Sequence, residues 1–437
     1  MTTAVTAARR MFSSLRIRNY RLYLAGQAVS LSGTWMQSVA QGWLVLELTG
    51  SGTAIGLVLA LQFLPVLLLG PLGGVLADRL DKRSLLFMTQ AAAGLLATTL
   101  GLLVLFDVIR LWMVYVLATG LGFVNLVDNP TRQTFIFEMV GPDQLPNAVS
   151  LHSVLVNLAR VVGPVVAGSL ILTVGMAPCF LINGASYLGV IAALAAMRVA
   201  DLRPSPRQPR RRGQLREGLR YVGSTPALLT PLLMMAVIGT LTYEFQVVLP
   251  LLARFTFEGD AGTYSAMTAC MGAGAVVGGL LTAAAGRRRP TALAVSAVAF
   301  GTVQMAAAWA PYLWLALSLL VLVGAASITF LSLGNATLQL GSAPEMRGRV
   351  MALWAVAFLG STPVGGPAVG WIAEHLGPRY GLGLGGLAAL LSGLLAYRSL
   401  SRQALPTREP VAVEVVVPTA EPDTGEIALP PGSFTPR

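Results

Sequence analysis

Long apolar runs, separated by short charged segments, constrain this chain more than any other feature. One run, TAIGLVLALQFLPVLLLGPL, begins at residue 53 and carries no charged side chain. An α-helix of about 20 apolar residues matches the thickness of the hydrocarbon core of a bilayer. Only 11% of the residues are charged, against about 25% in a soluble domain. The sequence therefore predicts an all-α polytopic membrane protein.

The apolar runs divide into two groups of six candidate membrane spans. The twelve spans are 22–48, 53–76, 84–106, 111–134, 147–174, 178–197, 227–252, 262–285, 291–310, 313–337, 349–373 and 379–398. We expect an interfacial N-terminal segment (1–21), two six-helix bundles (22–200 and 227–400), a basic cytoplasmic linker (201–226) and a disordered cytoplasmic tail (401–437), which is rich in proline and acidic residues.

The positions of lysine and arginine predict the orientation. If the N-terminus is cytoplasmic and the spans alternate, external loops keep only Arg110, Arg254 and Arg379. The positive-inside rule then predicts a multi-pass protein of the cell (inner) membrane, with both termini in the cytoplasm. The basic cytoplasmic loops also account for the net charge of +11, so we expect no nucleic-acid partner. We expect a monomer whose partner is the lipid bilayer.

Two landmarks recur in the same order in both halves of the chain. GGVLADRLDKRSLL at residue 73 is matched by GGLLTAAAGRRRPTAL at 278, and VVGPVVAG at 161 by VGGPAVGW at 364. The two offsets are nearly equal, which indicates duplication of a six-helix unit. The predicted fold is thus twelve helices arranged as two six-helix pseudo-repeats.

The segment between spans 2 and 3 packs five charges into six positions. Anchoring by positive charge alone does not explain its two acids, so we predict a latch whose charge pairs break when the halves move. The latch residues are Gly74, Asp78, Arg79, Asp81, Lys82 and Arg83. This stretch resembles the G-x-L-A-D-R-x-G-R-K motif of the major facilitator superfamily, in which the loop controls conformational change. Asp81 departs from the family glycine, and Ala283 stands where the second copy would carry the acid.

The fifth span resembles the glycine-rich motif of the drug exporters in that superfamily. The aligned positions are Ser150, Ala159, Gly163, Pro164, Ala167 and Gly168. Small residues permit close helix packing and proline bends the helix, so a generic packed and kinked helix is the alternative interpretation. Two sequence segments, LPNAVSLHSVLVNLARVVGPVVAG from residue 145 and APEMRGRVMALW from residue 343, resemble those of bacterial exporters related to enterobactin exporters and macrolide-efflux-like proteins. This resemblance implies export.

Four charged residues within the spans are candidates for proton or charge coupling, because such residues are costly in a membrane. Asp128 and Arg132 are four apart and are expected to pair, either structurally or as part of coupling. Arg160 could bind substrate, but pairing with Asp128 or Glu138 is favoured. Glu244 is the most isolated acid. It could exchange a proton with either side of the membrane, or lie near the outer mouth and simply meet water.

Uncharged polar and aromatic side chains predict the wall of a substrate cavity. These residues are Trp35, Gln37, Gln41, Asn125, Tyr243, Gln246, Asn335 and Gln339. A mostly apolar site with a few polar anchors suits an amphiphilic small molecule. The alternative is that at least half of these side chains form hydrogen bonds between helices.

The leading hypothesis is a proton-coupled antiporter that exports amphiphilic small molecules such as drugs, siderophores or natural products by alternating access. The alternatives are a lipid flippase or importer of the same fold, or a membrane sensor or assembly protein that does not transport. No G-x4-G-K-[ST] motif or clustered His, Cys and acid constellation points to an enzyme. We expect no cofactor and no metal.

Overall fold

The computed structural model describes residues 12–203, 214–284 and 291–403. The tail from 404, the second-copy basic run at 286–289, the middle of the linker and the first eleven residues lie outside these ranges. Within them the chain is helical and has no β-strand, which confirms the all-α prediction. The helices are α1 (Arg18–Thr49), α2 (Gly52–Arg79), α3 (Lys82–Leu105), α4 (Leu111–Val174), α5 (Ala177–Ala195), α6 (Gln214–Gly223), α7 (Pro226–Leu241), α8 (Phe245–Leu251), α9 (Ala261–Ala284), α10 (Ala292–Ala308), α11 (Leu313–Gly341), α12 (Arg347–Leu359), α13 (Thr362–His375) and α14 (Pro378–Gln403).

Nine helical stretches of the described residues are long and apolar enough to cross a membrane. One of them is α4, whose 64 residues are divided by Gly141, where a φ of 72° interrupts the helix. Two further helices are not among the nine: α1, which has 32 residues, and α10, which has 17. The multi-pass fold is therefore shown, and the number of twelve crossings remains a prediction.

Two of the expected spans are each broken into two helices. The break between α7 and α8 covers Thr242–Glu244, and the break between α12 and α13 lies at Gly360 and Ser361. A neighbouring side chain satisfies part of the freed backbone, as the Gln304 side-chain amide of α10 donates to the Thr242 carbonyl at 3.4 Å. Broken helices are tolerated in membranes when other groups take over the missing backbone hydrogen bonds. The hydropathy pattern predicted each of these spans as one continuous helix.

Close contacts join the helices before residue 203, the N-terminal group, to the helices from residue 214 onward, the C-terminal group. A Cβ added at Gly56 of α2 would lie 2.6 Å from the backbone nitrogen of Pro367 in α13. A Cβ at Gly168 of α4 would lie 2.7 Å from the Cβ of Ser265 in α9. These distances are shorter than real side chains permit, so only glycine allows such an approach.

The two ends of the helical bundle differ in these contacts. We call the end with the α1–α2 turn the Gly50 end, and the end with the α2–α3 turn the Arg79 end. Helix α2 packs extensively on α13 towards the Gly50 end, whereas its contact with α12 is marginal. The two groups of helices are therefore held together mainly towards the Gly50 end.

Candidate functional site

A polar cavity of about 220 Å³ lies between α1, α2, α4, α5 and α8. Amide and hydroxyl side chains provide most of its polar surface. Five of the residues singled out in the sequence line it, namely Gln37, Gln41, Asn125, Arg132 and Gln246. The Asn183 amide donates to Gln37 Oε1 at 2.6 Å, which fixes one wall.

A second cavity, also of about 220 Å³, is mainly aromatic and aliphatic and contains two charged residues. Its lining includes the predicted residues Trp35, Arg160, Tyr243, Glu244 and Gln246. Leu59 and Gln246 line both cavities, so the two are neighbours. A polar chamber beside an apolar chamber can accommodate an amphiphilic molecule.

Tyr243 and Gln246 connect the second cavity to the surrounding helices. The Tyr243 hydroxyl donates to the Ser327 carbonyl of α11 at 2.7 Å, and its ring packs edge-on against Phe358 with centroids 5.3 Å apart. The Ser38 hydroxyl of α1 donates to Gln246 Oε1 at 3.1 Å, across the two groups of helices.

Asn335 and Gln339 lie elsewhere. They hydrogen-bond to each other on α11, Gln339 is exposed, and neither lines the two cavities. The polar pattern on this helix therefore reflects a bond along the helix surface rather than either cavity wall.

Asp128 and Arg132 form an ion pair on α4. Asp128 Oδ1 also accepts hydrogen bonds from Thr89 and Gln90, each at 2.8 Å, and Arg132 donates to Gln27 at 2.8 Å. Asp128 is 2% exposed. Since both of its oxygens are engaged, the pair connects α1, α3 and α4 within the N-terminal group.

Glu244 lies where the two broken spans meet. It immediately precedes α8, and its side chain hydrogen-bonds to Thr362 at the start of α13. A Cβ added at Gly365 would lie 2.9 Å from Glu244 Oε1. The residue is only 4% exposed, and in the described part of the chain Oε1 has no hydrogen-bond partner. The carboxyl is thus enclosed between α8 and α13 beside the second cavity rather than open to water.

Arg160 lies on the opposite group of helices but lines the same cavity. Its guanidinium carbon lies over the Trp35 ring, 4.9 Å from the centroid, and its buried Nε has no hydrogen-bond partner among the residues that the structure describes. Within the described residues it pairs with neither expected acid. Asp128 pairs with Arg132, and Glu138 pairs with Lys82 at 2.5 Å.

The predicted latch residues are joined mainly to the N-terminal group of helices. Lys82 pairs with Glu138 of α4, Arg83 donates to the Leu194 carbonyl at 2.9 Å, and Asp81 caps α3 through the Ser84 amide at 2.7 Å. The other three members are partly buried or exposed: Gly74, Asp78 and Arg79. Within the part of the chain that the structure describes, the hydrogen bonds and ion pair of Asp81, Lys82 and Arg83 thus stay within the N-terminal group.

The exporter-motif residues form a packing surface on the second segment of α4. Five of them are buried, against neighbours that include α1 and α9: Ala159, Gly163, Pro164, Ala167 and Gly168. A Cβ at Gly163 would lie 2.7 Å from the Ser32 carbonyl oxygen. Ser150 is exposed and bonds the Pro146 carbonyl of its own helix.

Sequence reasoning missed Glu374, near the end of α13. Its Oε2 accepts hydrogen bonds from the Ser51 hydroxyl at 2.6 Å, the Thr53 hydroxyl at 2.7 Å and the Thr53 amide at 3.0 Å. The carboxylate thus caps the N-terminus of α2 from the other group of helices, where anions are favoured. The sequence does show an acid at the end of an apolar span and a Ser-Gly-Thr start of another helix. It does not show that the two are neighbours.

Comparison with known proteins places this architecture in a family. A family model described as transmembrane secretion effector, of the major facilitator type, matches residues 9–425. The chain belongs to this family. The fold and family therefore indicate a multi-pass membrane transporter rather than an enzyme, and the predicted resemblance is confirmed.

Several bacterial transporters are similar in sequence. The multidrug efflux pump Tap of Mycolicibacterium fortuitum is 26% identical, over 84% of this chain and 91% of the pump. The enterobactin exporter EntS of Citrobacter koseri is 25% identical, over 89% and 90%. The match to the staphyloferrin A transporter of Staphylococcus aureus is 28% identical but spans only 62% of that protein, and the match to the transporter YfiS of Bacillus subtilis spans 52%.

Solved transporters share the fold. A bacterial homologue of the lysosomal transporter Spinster, in an inward-facing and unoccupied conformation, superposes with a TM-score of 0.67 at 15% identity, over 89% of this chain and 97% of its own. The nucleoside transporter NupG superposes with a TM-score of 0.68 at 11% identity, over 89% and 99%.

Proposed function

We propose that this transporter is a proton-coupled antiporter that exports amphiphilic small molecules from the cytoplasm. The efflux pump and siderophore exporter among its relatives support export. The adjoining polar and apolar cavities support an amphiphilic cargo. We further propose that it works as a monomer in the inner membrane with both termini cytoplasmic, as the lysine and arginine distribution predicts.

The observation that carries the proposal is the position of Glu244. The carboxyl is buried beside the apolar cavity and between the breaks in the α7–α8 and α12–α13 spans. Motion at these breaks would change its access to water, and with it the balance between its neutral and charged forms. A group of this kind can release a proton when cargo binds and regain one when the carrier reopens. Asp128 is the second candidate acid, and its ion pair with Arg132 makes it less available for proton uptake and release.

The contacts between the helix groups support a structure that is closed on the outside. In the proposed orientation, the tightly packed Gly50 end faces outward, so cargo enters from the Arg79 end. The exporter-motif glycines hold α4 against α1 and α9 in this state. We propose that, in the opposite state, the latch residues at the Arg79 end engage the C-terminal group and compensate for the separation of α2 from α13 at the Gly50 end.

Proton flux into proteoliposomes tests the proposal. With a pH-sensitive dye inside and an imposed proton gradient, addition of a transported amphiphile is expected to accelerate proton movement in the wild type. Glu244→Gln should abolish this acceleration, while an amphiphile that carries no ammonium group still binds. The matched control is Glu47→Gln, since Glu47 is exposed at the Gly50 end and bonds Trp43 of its own helix.

Two other outcomes would change the proposal. Loss of coupling in Asp128→Asn alone would transfer the role to that residue. Cargo movement without any proton movement in the wild type would rule out antiport with protons.

A further inference from the structure

The apolar cavity contains a cation that no acid neutralises. Arg160 rests on the Trp35 ring, and within the described part of the chain its guanidinium makes no hydrogen bond and no ion pair. A buried charge is costly unless it is paired. A bound oxyanion would provide the missing partner, because the planar guanidinium fork fits carboxylate and phosphate oxygens.

The same cavity contains an acid that forms no ion pair with any cation of the described ranges. The Glu244 side chain hydrogen-bonds to Thr362, and its Oε1 has no partner among the residues of 12–203, 214–284 and 291–403. It forms no ion pair with Arg160 in the described residues, although both line this cavity. The site therefore keeps opposite charges apart on two groups of helices that must separate during transport.

The surfaces near these charges are apolar. Phe63, Leu249, Met271 and Phe358 belong to the cavity lining. The guanidinium carbon of Arg160 lies over the Trp35 ring, and its N–H groups can donate hydrogen bonds to a bound oxyanion. With a volume of about 220 Å³, the cavity has room for an aromatic ring system of modest size.

We propose that this cavity selects amphoteric amphiphiles, with an oxyanion bound by Arg160, an ammonium or other hydrogen-bond donor bound by Glu244, and an apolar body packed against the aromatic and aliphatic lining. This inference rests on the proposed export function and names its cargo class. It also fits antiport, because a cationic group approaching Glu244 favours loss of its proton, whereas an anion alone would favour keeping it. Cargo bound in this way bridges the two groups of helices.

A matched series of probes tests each charge separately. Naphthylalanine carries both groups, naphthylpropionate only the carboxylate, and naphthylethylamine only the ammonium. Their binding to the purified full chain in nanodiscs of phosphatidylcholine is measured by calorimetry. We expect naphthylalanine to bind tightest. Because a charge-assisted hydrogen bond is lost, Arg160→Gln should weaken naphthylalanine and naphthylpropionate by about tenfold or more and leave naphthylethylamine unchanged.

Glu244→Gln should produce the converse pattern, with loss of naphthylethylamine binding and retention of naphthylpropionate. Arg160→Lys keeps the charge without the fork and should fall between wild type and Arg160→Gln. Arg110→Gln, at an exposed position, is the matched arginine control. Retained binding of the unaffected probe shows that each variant is folded.

Two results would overturn the inference. Equal loss of all three probes in Arg160→Gln would mean that the arginine only supports Trp35. Unchanged binding of naphthylpropionate in that variant would mean that no oxyanion binds there. Proton-coupled export measured in proteoliposomes could still persist in either case, so failure of this inference is distinguishable from failure of the proposed function.

A lipid headgroup could present the same two charges. Phosphatidylethanolamine has a phosphate and an ammonium with N–H donors, and phosphatidylcholine lacks those donors. If naphthylalanine binds equally in nanodiscs of both lipids, the occupant is a free amphiphile, as proposed. Displacement of the probe specifically by phosphatidylethanolamine would instead identify a lipid as the occupant and overturn the assignment to soluble cargo.

Discussion

Replacing Glu374 with alanine should shift the transporter away from the state in which the Gly50 end is closed. The carboxylate accepts three hydrogen bonds from Ser51 and Thr53, and all three join the C-terminal group of helices to the N-terminal group. They can exist only while the Gly50 end is closed. Their loss therefore changes the balance between the closed and open states rather than the folding of either group.

The size of the shift follows from the geometry. A hydrogen bond to a charged acceptor contributes about 1.5–3 kcal/mol, but these groups are exposed, and water replaces much of that contribution. We expect a combined effect of about 1–2 kcal/mol, which changes the closed-to-open ratio roughly 5–30-fold. Glu374→Gln keeps an acceptor but loses the charge, and should have a smaller effect.

Distance measurements by spin labelling across the Gly50 end provide the assay. Cysteines introduced at Val108 and Tyr312, both exposed near this end, would carry the labels after Cys179 and Cys270 are replaced. The longer-distance population should grow in Glu374→Ala. An unchanged distribution, or an equal shift in the control Glu47→Ala, would refute the idea that Glu374 holds the end closed.

Three further substitutions or deletions have definite expected outcomes. Gly56→Ala should impair closure of the Gly50 end and slow transport because its Cβ would meet the backbone of α13, whereas Gly70→Ala on the same helix faces open space and should be neutral in the same vesicle assay. Asp128→Asn leaves the partly buried Arg132 without its counter-ion and should destabilise the protein by about 3 kcal/mol, the lower end of the range for a buried pair, measured as a lower thermal unfolding temperature in detergent. Deletion of 404–437 should leave the transport rate unchanged, and a loss of transport would show that the tail takes part.

The sequence predicted the helical membrane fold well because apolar length and charge asymmetry act locally along the chain. It could not predict the breaks at Thr242–Glu244 and Gly360–Ser361, since such breaks depend on partners such as Gln304 from a distant helix. A hydropathy pattern records that a residue is apolar and does not record which neighbour replaces a missing backbone bond. The positions of broken helices are therefore tertiary information.

Site residues show the same division. The Asp128–Arg132 pair was predicted from a spacing of four residues on one helix. The expected pairing of Arg160 does not form because Asp128 and Glu138 already have nearer cations. Asn335 and Gln339 have the polarity of a cavity wall, but the rotation of α11 directs them to each other. Competition between partners and helix rotation are both invisible in a single sequence.

Because Gln246 lies between the two cavities, a long ligand should affect the helix contacts differently from a short one. It lines both cavities, and its amide oxygen is held by the Ser38 hydroxyl of the opposite group of helices. A small molecule fits within one cavity and leaves this bond intact. A molecule that extends through both must pass the amide and compete for the bond, which loosens a link between α1 and α8. Cargo length is thereby connected to turnover: the larger ligand weakens a contact that has to break before the carrier can open on the other side.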